Sequence, residues 1–577
     1  MKKFLHLLVV AALAVPGGVN AQEPKVYPGG AFCGISPNGN YAVSDRYGYV
    51  SIYNLVTGEK ELDDEEGFAF GNGNCISNTG VIVGNNAIMV TAGYWKNAQW
   101  HNIESVTGRM MSKADGITPD GSRIVGAVAP ENFEGIDGLM LTPCYWDVQA
   151  DGTLGDLQLL PYPEKDLTNR TPQYITAISV SDDGKTIAGQ IQDYSGRICQ
   201  PIIYRQDEEG KWSYTLIHDD LYHPEGLVIP EYPGEYEGED PFPYDYFSSE
   251  EESEAYNEAW NNWYDSGHNP EEEPLPEDFM SDESKKAAFL AIAIPYREWE
   301  KKWNAFAEAL DELVSLVPVL ELNNVFLSHD GKIYASTTAK EVFDPMAWWP
   351  VHEYAPCVFN LEDNTYKIYS NDGMNLILTS MADDGTLLAQ KPASEEPASA
   401  YILPAGAEKF VSLYDYFTTA NATLAEWIKE NMTHEYEAYD MDTWEPYTAE
   451  ALATGIPFVD ADKSIIVTAV ENFWFDWENG DYDTYVDVYG YVFPTGMSTS
   501  ITNATKDKVG AQVFGQKGGM LQFKGEVANA TVYNMNGGKV YAVEAPAATV
   551  ATGLGAGVYV VKVVATNGTV TFAKVAL

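Results

Sequence analysis

Apolar and polar positions alternate along this chain in short bursts, and one burst keeps returning. In "GISPNGNYAV", Gly34 to Val43, an apolar strand end leads into Ser, then Pro-Asn-Gly, then a second apolar strand. The same order recurs in "CISNTGVIVG" from Cys75, "GITPDGSRIVG" from Gly116, "AISVSDDGKTIAG" from Ala177, "FLSHDGKIYAS" from Phe326 and "MADDGTLLAQ" from Met381. A seventh copy, "VDADKSIIVTAV" from Val459, lacks the glycine. Asp or Asn beside Gly gives the tight reversal of a β-hairpin, because these residues tolerate positive φ or bond their own backbone. The repeat-turn glycines are Gly39, Gly80, Gly121, Gly184, Gly331 and Gly385.

An aromatic strand follows most copies, as in "AGYWKN", "PCYWDV", "QPIIYRQD" and "DVYGYVFPTG". Each repeat therefore supplies three or four strands. Gly39, Gly80 and Gly121 stand 41 residues apart, the length of a four-stranded propeller blade. The expected fold is all-β: a β-propeller of seven blades over residues 22–502, with the longer later gaps filled by insertions at about 214–320 and 404–452.

The larger insertion is acidic and aromatic, and has no Lys or Arg between Lys211 and Lys285. Its end spaces Trp299, Trp303, Phe306, Leu310 and Leu313 three or four apart, one face of an amphipathic helix. "TLAEWIKENMTHEYEAY" from Thr423 predicts another helix. After residue 502 acids thin out and Gly, Ala, Val and Thr rise, with Asn-Gly turns between alternating strands. Residues 503–577 thus read as a small β-sandwich.

Composition narrows the address and the partners. "MKKFLHLLVVAALAVPGGVNA" has two lysines, an apolar run and a small-residue cleavage pattern, so residues 1–21 read as a signal peptide. No later apolar stretch reaches membrane-spanning length. The net charge of −51 argues against nucleic acid as a partner, since phosphates need basic patches. Seven arginines, none beyond Arg297, also make a multi-guanidinium anion clamp a poor expectation. The five cysteines occupy apolar strand slots and are expected as buried free thiols, with a Cys33 to Cys75 bridge as the alternative.

Catalytic look-alikes dissolve on inspection. Gly34-Ile35-Ser36-Pro37-Asn38 lacks the second Gly of a nucleophile elbow, and "SDDGKT" sits in a hairpin with no helix to cradle phosphate. No His-Glu-x-x-His or Cys-x-x-Cys occurs. No cofactor is predicted; a structural calcium ion is the one metal the composition favours, with oxygen donors from Asp476 to Asp487 and at Glu250, Glu251 and Glu252. The better clue is aromatic. Trp260, Trp263, Trp348, Trp349, Trp474 and Trp477 cluster with Tyr and acids in inserted or inter-strand segments. Rings beside carboxylates suit sugar faces or a protein interface, and equally suit packing the insertions onto the rim.

Two resemblances add to this. "CISNTGVIVG…GYWKN" and "GITPDGSRIVG…CYWDV" resemble HAF-type extracellular repeats and related propeller blades, over Ala31 to about Pro494. The final segment resembles the C-terminal sorting domain of type IX (Por) secretion, through Tyr533, Gly537, Gly557, Tyr559 and Lys562, although that family commonly ends on a basic residue and this chain ends Val575-Ala576-Leu577. The resemblance implies outer-membrane secretion machinery as a partner, followed by cleavage or surface attachment. The expected function is non-catalytic binding of a glycan or a protein at the propeller rim, outside the cell or on its surface. The alternatives are a propeller hydrolase or lyase acting on polysaccharide or peptide, and a structural surface or adhesion component.

Overall fold

The computed structural model describes residues 24–495 and 512–576 apart from loops, the longest being 131–140, 343–350 and 476–483. Seven four-stranded antiparallel sheets follow one another in the chain: sheet 1 (32–62), sheet 2 (68–102), sheet 3 (112–159), sheet 4 (174–216), sheet 5 (320–368), sheet 6 (377–412) and sheet 7 (456–494). In sheets 1 to 6 strand order equals chain order. Sheet 7 contributes only three strands of its own, and its fourth is Lys25–Pro28, paired antiparallel with Thr484–Pro494.

All seven copies of the repeated turn join the first strand of a sheet to the second. Each turn is closed the same way. The Gly39 amide donates to the Ser36 carbonyl at 2.8 Å, Gly121 to Thr118 at 2.8 Å, Gly184 to Ser181 at 2.9 Å and Gly331 to Ser328 at 2.8 Å. The preceding hydroxyl then accepts from the second strand, as Ser181 Oγ does from the Thr186 amide and Ser328 Oγ from Ile333. In the seventh copy Asp460 takes the serine's part for Ile465, and Lys463 takes the glycine's place at φ 63°.

These turns also hold one another in a closed circle. Asn38 bonds Asn78, the Asn78 amide reaches Pro119, Arg123 beside turn 3 reaches the Gly184 carbonyl, and the Asp182 amide reaches His329. His329 Nδ1 lies 2.8 Å from Asp383, the Asp383 amide bonds Ala461, and the Ala461 amide bonds Pro37. The space they enclose, bordered by residues of all seven turns, is only about 50 Å³. The axis is at its narrowest there.

Side chains fill the space between sheets. Trp95 and Trp146 pack with Val43, Cys75, Ile82 and Ile124 across sheets 1 to 3, and Tyr334 and Phe359 pack with Ile178 and Cys199 across sheets 4 and 5. The five cysteines are free thiols, four of them buried, and burial pushes Cys75 up to about 12. Burying this much aliphatic and aromatic surface is what makes a ring of otherwise thin sheets stable.

The larger insertion carries two helices, α1 (Glu250–Asp265) and α2 (Glu283–Leu316). Asp282 caps α2 by accepting from the Ser284 and Lys285 amides. The helix begins well before the stripe seen in the sequence, and of that stripe it buries Phe306, Leu310 and Leu313, with Phe289 and Ala293 upstream. The smaller insertion departs from expectation. It holds α3 (Leu413–Ala420) and α4 (Ala422–Asn431), but "THEYEAY" leaves the helix and pairs as strand Thr433–Tyr439 with Pro446–Leu452. Its Glu435 and Glu437 alternate with Tyr436 and Ala438, the period of a pleat, and that local β preference prevails once α4 ends at Asn431. The fourth strand of sheet 6, Val411–Ser412, also falls inside the stretch expected as insertion.

After residue 511 a three-stranded and a four-stranded antiparallel sheet share one core of Leu521, Phe523, Val532, Val561 and Val563. Tyr533, Tyr559 and Lys562 lie on its strands, while Gly537 and Gly557 lie outside the described residues.

Candidate functional site

Just before the turns the inner strands do not run regularly. Those of sheets 1, 3, 4 and 6 each carry one extra residue against their partner, at Cys33, Asp115, Ile178 and Thr379, and sheet 5 carries a longer irregularity between Leu320 and Val325. A bulge re-aims a side chain and leaves its residue out of the ladder. The shift also drives the preceding carbonyl towards the second strand. A Cβ at Gly126 would stand 2.0 Å from Lys113 O, and one at Gly189 would stand 1.8 Å from Thr176 O, so only glycine fits there.

The irregular strands of sheets 1, 5 and 6 border a cavity of about 330 Å³. It touches sheets 1, 5, 6 and 7; since sheets 1 and 5 are not neighbours in the circle, the cavity lies at the axis. Asp45, Glu321, Asn324, Thr379 and Gln390 supply its polar atoms, and Phe32, Leu378 and Phe458 are among its apolar walls. Asn324 is already spent, donating to Leu378 O and accepting from Thr337 Oγ1, both at 2.8 Å. The Glu321 carboxyl accepts no hydrogen bond and forms no ion pair among the described residues, and burial raises it above the ordinary carboxylate range against a smaller opposing pull from His352.

A polar chain flanks this cup through sheets 3, 4 and 5. Lys113 Nζ donates to Tyr174 Oη at 2.6 Å, Tyr174 Oη donates to Asn323 Oδ1 at 3.2 Å, and the Asn323 amide donates to Gln190 Oε1 at 2.7 Å. Asn323 sits at φ 61°. Asp115 Oδ2 is buried without a hydrogen-bond partner; burial raises its carboxyl and Lys113 opposes the rise. For Lys113 burial works the other way, but Asp115 and Tyr174 outweigh it and hold the ammonium charged.

The cup opens sideways. Glu321 and Leu322 also line a neck of about 270 Å³, which reaches Arg197 and His352. Arg197, Val314 and Val319 in turn line a groove of about 770 Å³ between the end of α2 and one face of sheet 5. That face presents Thr338, Lys340, Glu353, Tyr366 and Ile368, and Arg197 pairs with Asp311 of α2. Cup, neck and groove adjoin one another through these shared lining residues, and their volumes suit a small molecule or an extended segment.

The tryptophans singled out by sequence are not gathered here. Trp260 packs on Tyr256 and on Trp263, whose Nε1 donates to Asn269 O. Trp474 lies on the strand Ile465–Phe475, and Trp348, Trp349 and Trp477 lie outside the described residues. Glu250, Glu251 and Glu252 form the first turn of α1, where Glu252 accepts from Ser248 and Ser281 and is held below its usual range, the Ser281 hydroxyl contributing most. Most of the Asp476 to Asp487 stretch lies outside the described residues, and no group of three or more His, Cys, Asp or Glu among the described residues is placed to hold a metal. No helix among the described residues is long and apolar enough to cross a membrane. Sequence reasoning missed Asp45, Lys113, Asp115, Glu321 and Gln390. One signal was available: three positions before the turn Ser or Thr, the repeats read Cys33, Asp115, Ile178 and Val325, a column that does not stay apolar.

No protein-family model and no curated protein matches the chain. Among solved structures it is similar to TolB from Acinetobacter baumannii, with 9% identity and TM-score 0.30 over 66% of this chain and 62% of that one, so it spans less than two thirds of that protein. It is similar to an oligogalacturonate lyase in complex with manganese, with 8% identity and TM-score 0.36 over 82% and 92% of the two chains. It is also similar to the β-propeller domain of the Trilobed protease from Pyrococcus furiosus, with 10% identity and TM-score 0.26 over 81% and 94%. The chain is mostly β and its structural neighbours are β-propeller proteins; at these values the likenesses say nothing of what it binds or cleaves.

Proposed function

We propose that this chain is an exported seven-bladed β-propeller with a C-terminal β-sandwich of sorting type, and that it is a non-catalytic binding protein at or beyond the cell surface. Its ligand, a glycan or a protein segment, occupies the axial cup and the groove under α2. The observation that carries this reading is the shape of the axis: the seven turns narrow one end to about 50 Å³, and at the other the cup is lined by Glu321, whose carboxyl makes no hydrogen bond among the described residues. Groups held ready inside a preformed cavity favour binding because their ordering cost is met on folding. The test is a screen of glycans and peptides against the full chain, with the same samples assayed for new chain ends. Binding without cleavage, weakened in Glu321→Ala, supports the reading; binding unchanged in that variant sinks the site.

A second reading, a propeller hydrolase or lyase acting on polysaccharide or peptide, is favoured by Lys113 and Tyr174 beside the buried Asp115. An amine bonded to a phenol next to an unpartnered carboxyl is the kind of cluster that moves protons. New chain ends that vanish in Tyr174→Phe would promote it.

Export rests on residues 1–21 and on the sorting-domain resemblance, with outer-membrane secretion machinery as partner. Deleting residues 503–577 should leave the chain inside the outer membrane, and normal surface display after the deletion would refute that route.

A further inference from the structure

The cup has a polarity that selects among ligands. Asp45 on sheet 1 and Glu321 on sheet 5 contribute carboxylates to opposite sides of its lining, and the described lining includes no Lys, Arg or His. Glu321 is partly buried and makes no hydrogen bond among the described residues, so it is poorly placed for an anion and is stabilised by an incoming cation, in addition to the pull of His352 from the neck. The remaining wall is largely apolar, through Phe32, Ile377, Leu378, Ile456 and Phe458. Past the neck the groove is again lined mainly by aliphatic groups, Val314, Leu316, Val317 and Val342 among them, with Tyr366 its one described aromatic ring. Aliphatic walls suit the side chains of a peptide, whereas sugar rings need aromatic faces and a dense set of hydroxyl partners.

We propose that the cup receives the free amino terminus of an extended peptide, whose following residues run past Glu321 into the groove beneath α2. This deepens the binding reading above and rests on it. The terminal ammonium lies against Glu321, with Asp45 lining the far side. The first side chain rests on Ile377 and Ile456, the half-buried apolar residues of the lining, and the narrowing at the turn end sets the depth to which the terminus enters. Nothing is cleaved: the peptide is held by its end.

The experiment uses the full chain and a pool of random-sequence hexapeptides carrying a dye at the C-terminus, in free-amine and N-acetylated forms, read by fluorescence anisotropy, with a chitosan hexamer as competitor. The free-amine pool should bind about tenfold more tightly than the acetylated pool, the scale of one charge-assisted hydrogen bond. Glu321→Gln should remove that preference, and an unchanged thermal melting midpoint of the variant separates loss of the ammonium contact from misfolding. Equal binding of both pools overturns the inference and leaves the general binding reading standing. Tighter binding of chitosan than of peptide moves the ammonium to an amino sugar and overturns it as well. Failure of both peptide pools and chitosan to bind overturns this inference, and failure of the wider screen besides removes the binding reading.

Discussion

At the turn end of the axis, seven short segments of nearly one sequence meet and hold each other by backbone and side-chain contacts; three residues back along the chain, four of the seven inner strands present Cys33, Asp115, Ile178 and Thr379 at equivalent bulges, and these share almost nothing. The first end is uniform because a turn closed by Ser and Gly solves a geometric problem that every sheet has. The second is varied because nothing geometric dictates what a bulge residue must be, and that freedom leaves room for recognition chemistry.

The sharpest way to break this contrast is at the bulges. Lys113→Met should lower stability by about 3 kcal/mol, because Asp115 then sits buried without the charge that opposes its desolvation. Adding Asp115→Leu should return most of the loss, and urea unfolding of the two variants checks both. If the double variant is as weak as the single, the cost lies in packing and not in charge. Gly189→Ala should cost about 2 kcal/mol, since its methyl group meets the Thr176 carbonyl. A loss below half that would mean the bulge is softer than described.

Proton linkage tests the turn end. The Asp460 carboxyl is pushed up to about 8, chiefly by burial and then by its bond with Asp462. His329 is raised as well: burial opposes its charge, but Asp383 and Asp182 prevail. Both groups are more readily protonated folded than unfolded, so each favours folding at low pH and loses that contribution as pH rises through its folded value. The urea midpoint should therefore fall between pH 6 and pH 9, by on the order of 1 to 2 kcal/mol in stability, and Asp460→Asn with His329→Gln should flatten the slope. A midpoint that climbs with pH would contradict the described circle of turns. The smallest effect belongs to Lys463→Gly. Relief of a left-handed residue is worth about 1 kcal/mol and loss of its pair with Asp384 about 0.5 kcal/mol, so a slight gain is expected in thermal melting.

The turn end was legible for the same reason that it is uniform. Seven repetitions of one grammar, with glycine where φ must be positive, placed seven hairpins from residue types alone, and the structure puts every copy between first and second strands. "RIVG" and "TIAG" were read as ordinary strands, yet Gly126 and Gly189 are demanded by a bulge on the facing strand, which no local pattern announces. The cup was illegible because its walls bring Asp45 against Glu321 and Gln390, hundreds of positions further along the chain, which only the tertiary fold does. The tryptophans drew attention by their bulk, but for Trp260 and Trp263 the rings mainly pack within the insertion. The strand at Thr433 was missed because a helical stripe ran straight into it without a glycine or proline to mark the stop.

The pairing of Lys25–Pro28 with Thr484–Pro494 has a consequence in time. A chain that crosses a membrane from its N-terminus delivers the outer strand of sheet 7 first and its partner almost last. Until residue 494 has emerged, the earlier sheets can form singly but the circle cannot shut, and the first strand delivered must wait beside open edges. Such long-range closure is slow and leaves strand edges exposed meanwhile. A cleavage that trimmed only a few residues past the expected leader site would not harm any one sheet's core, yet it would remove the strand that completes sheet 7.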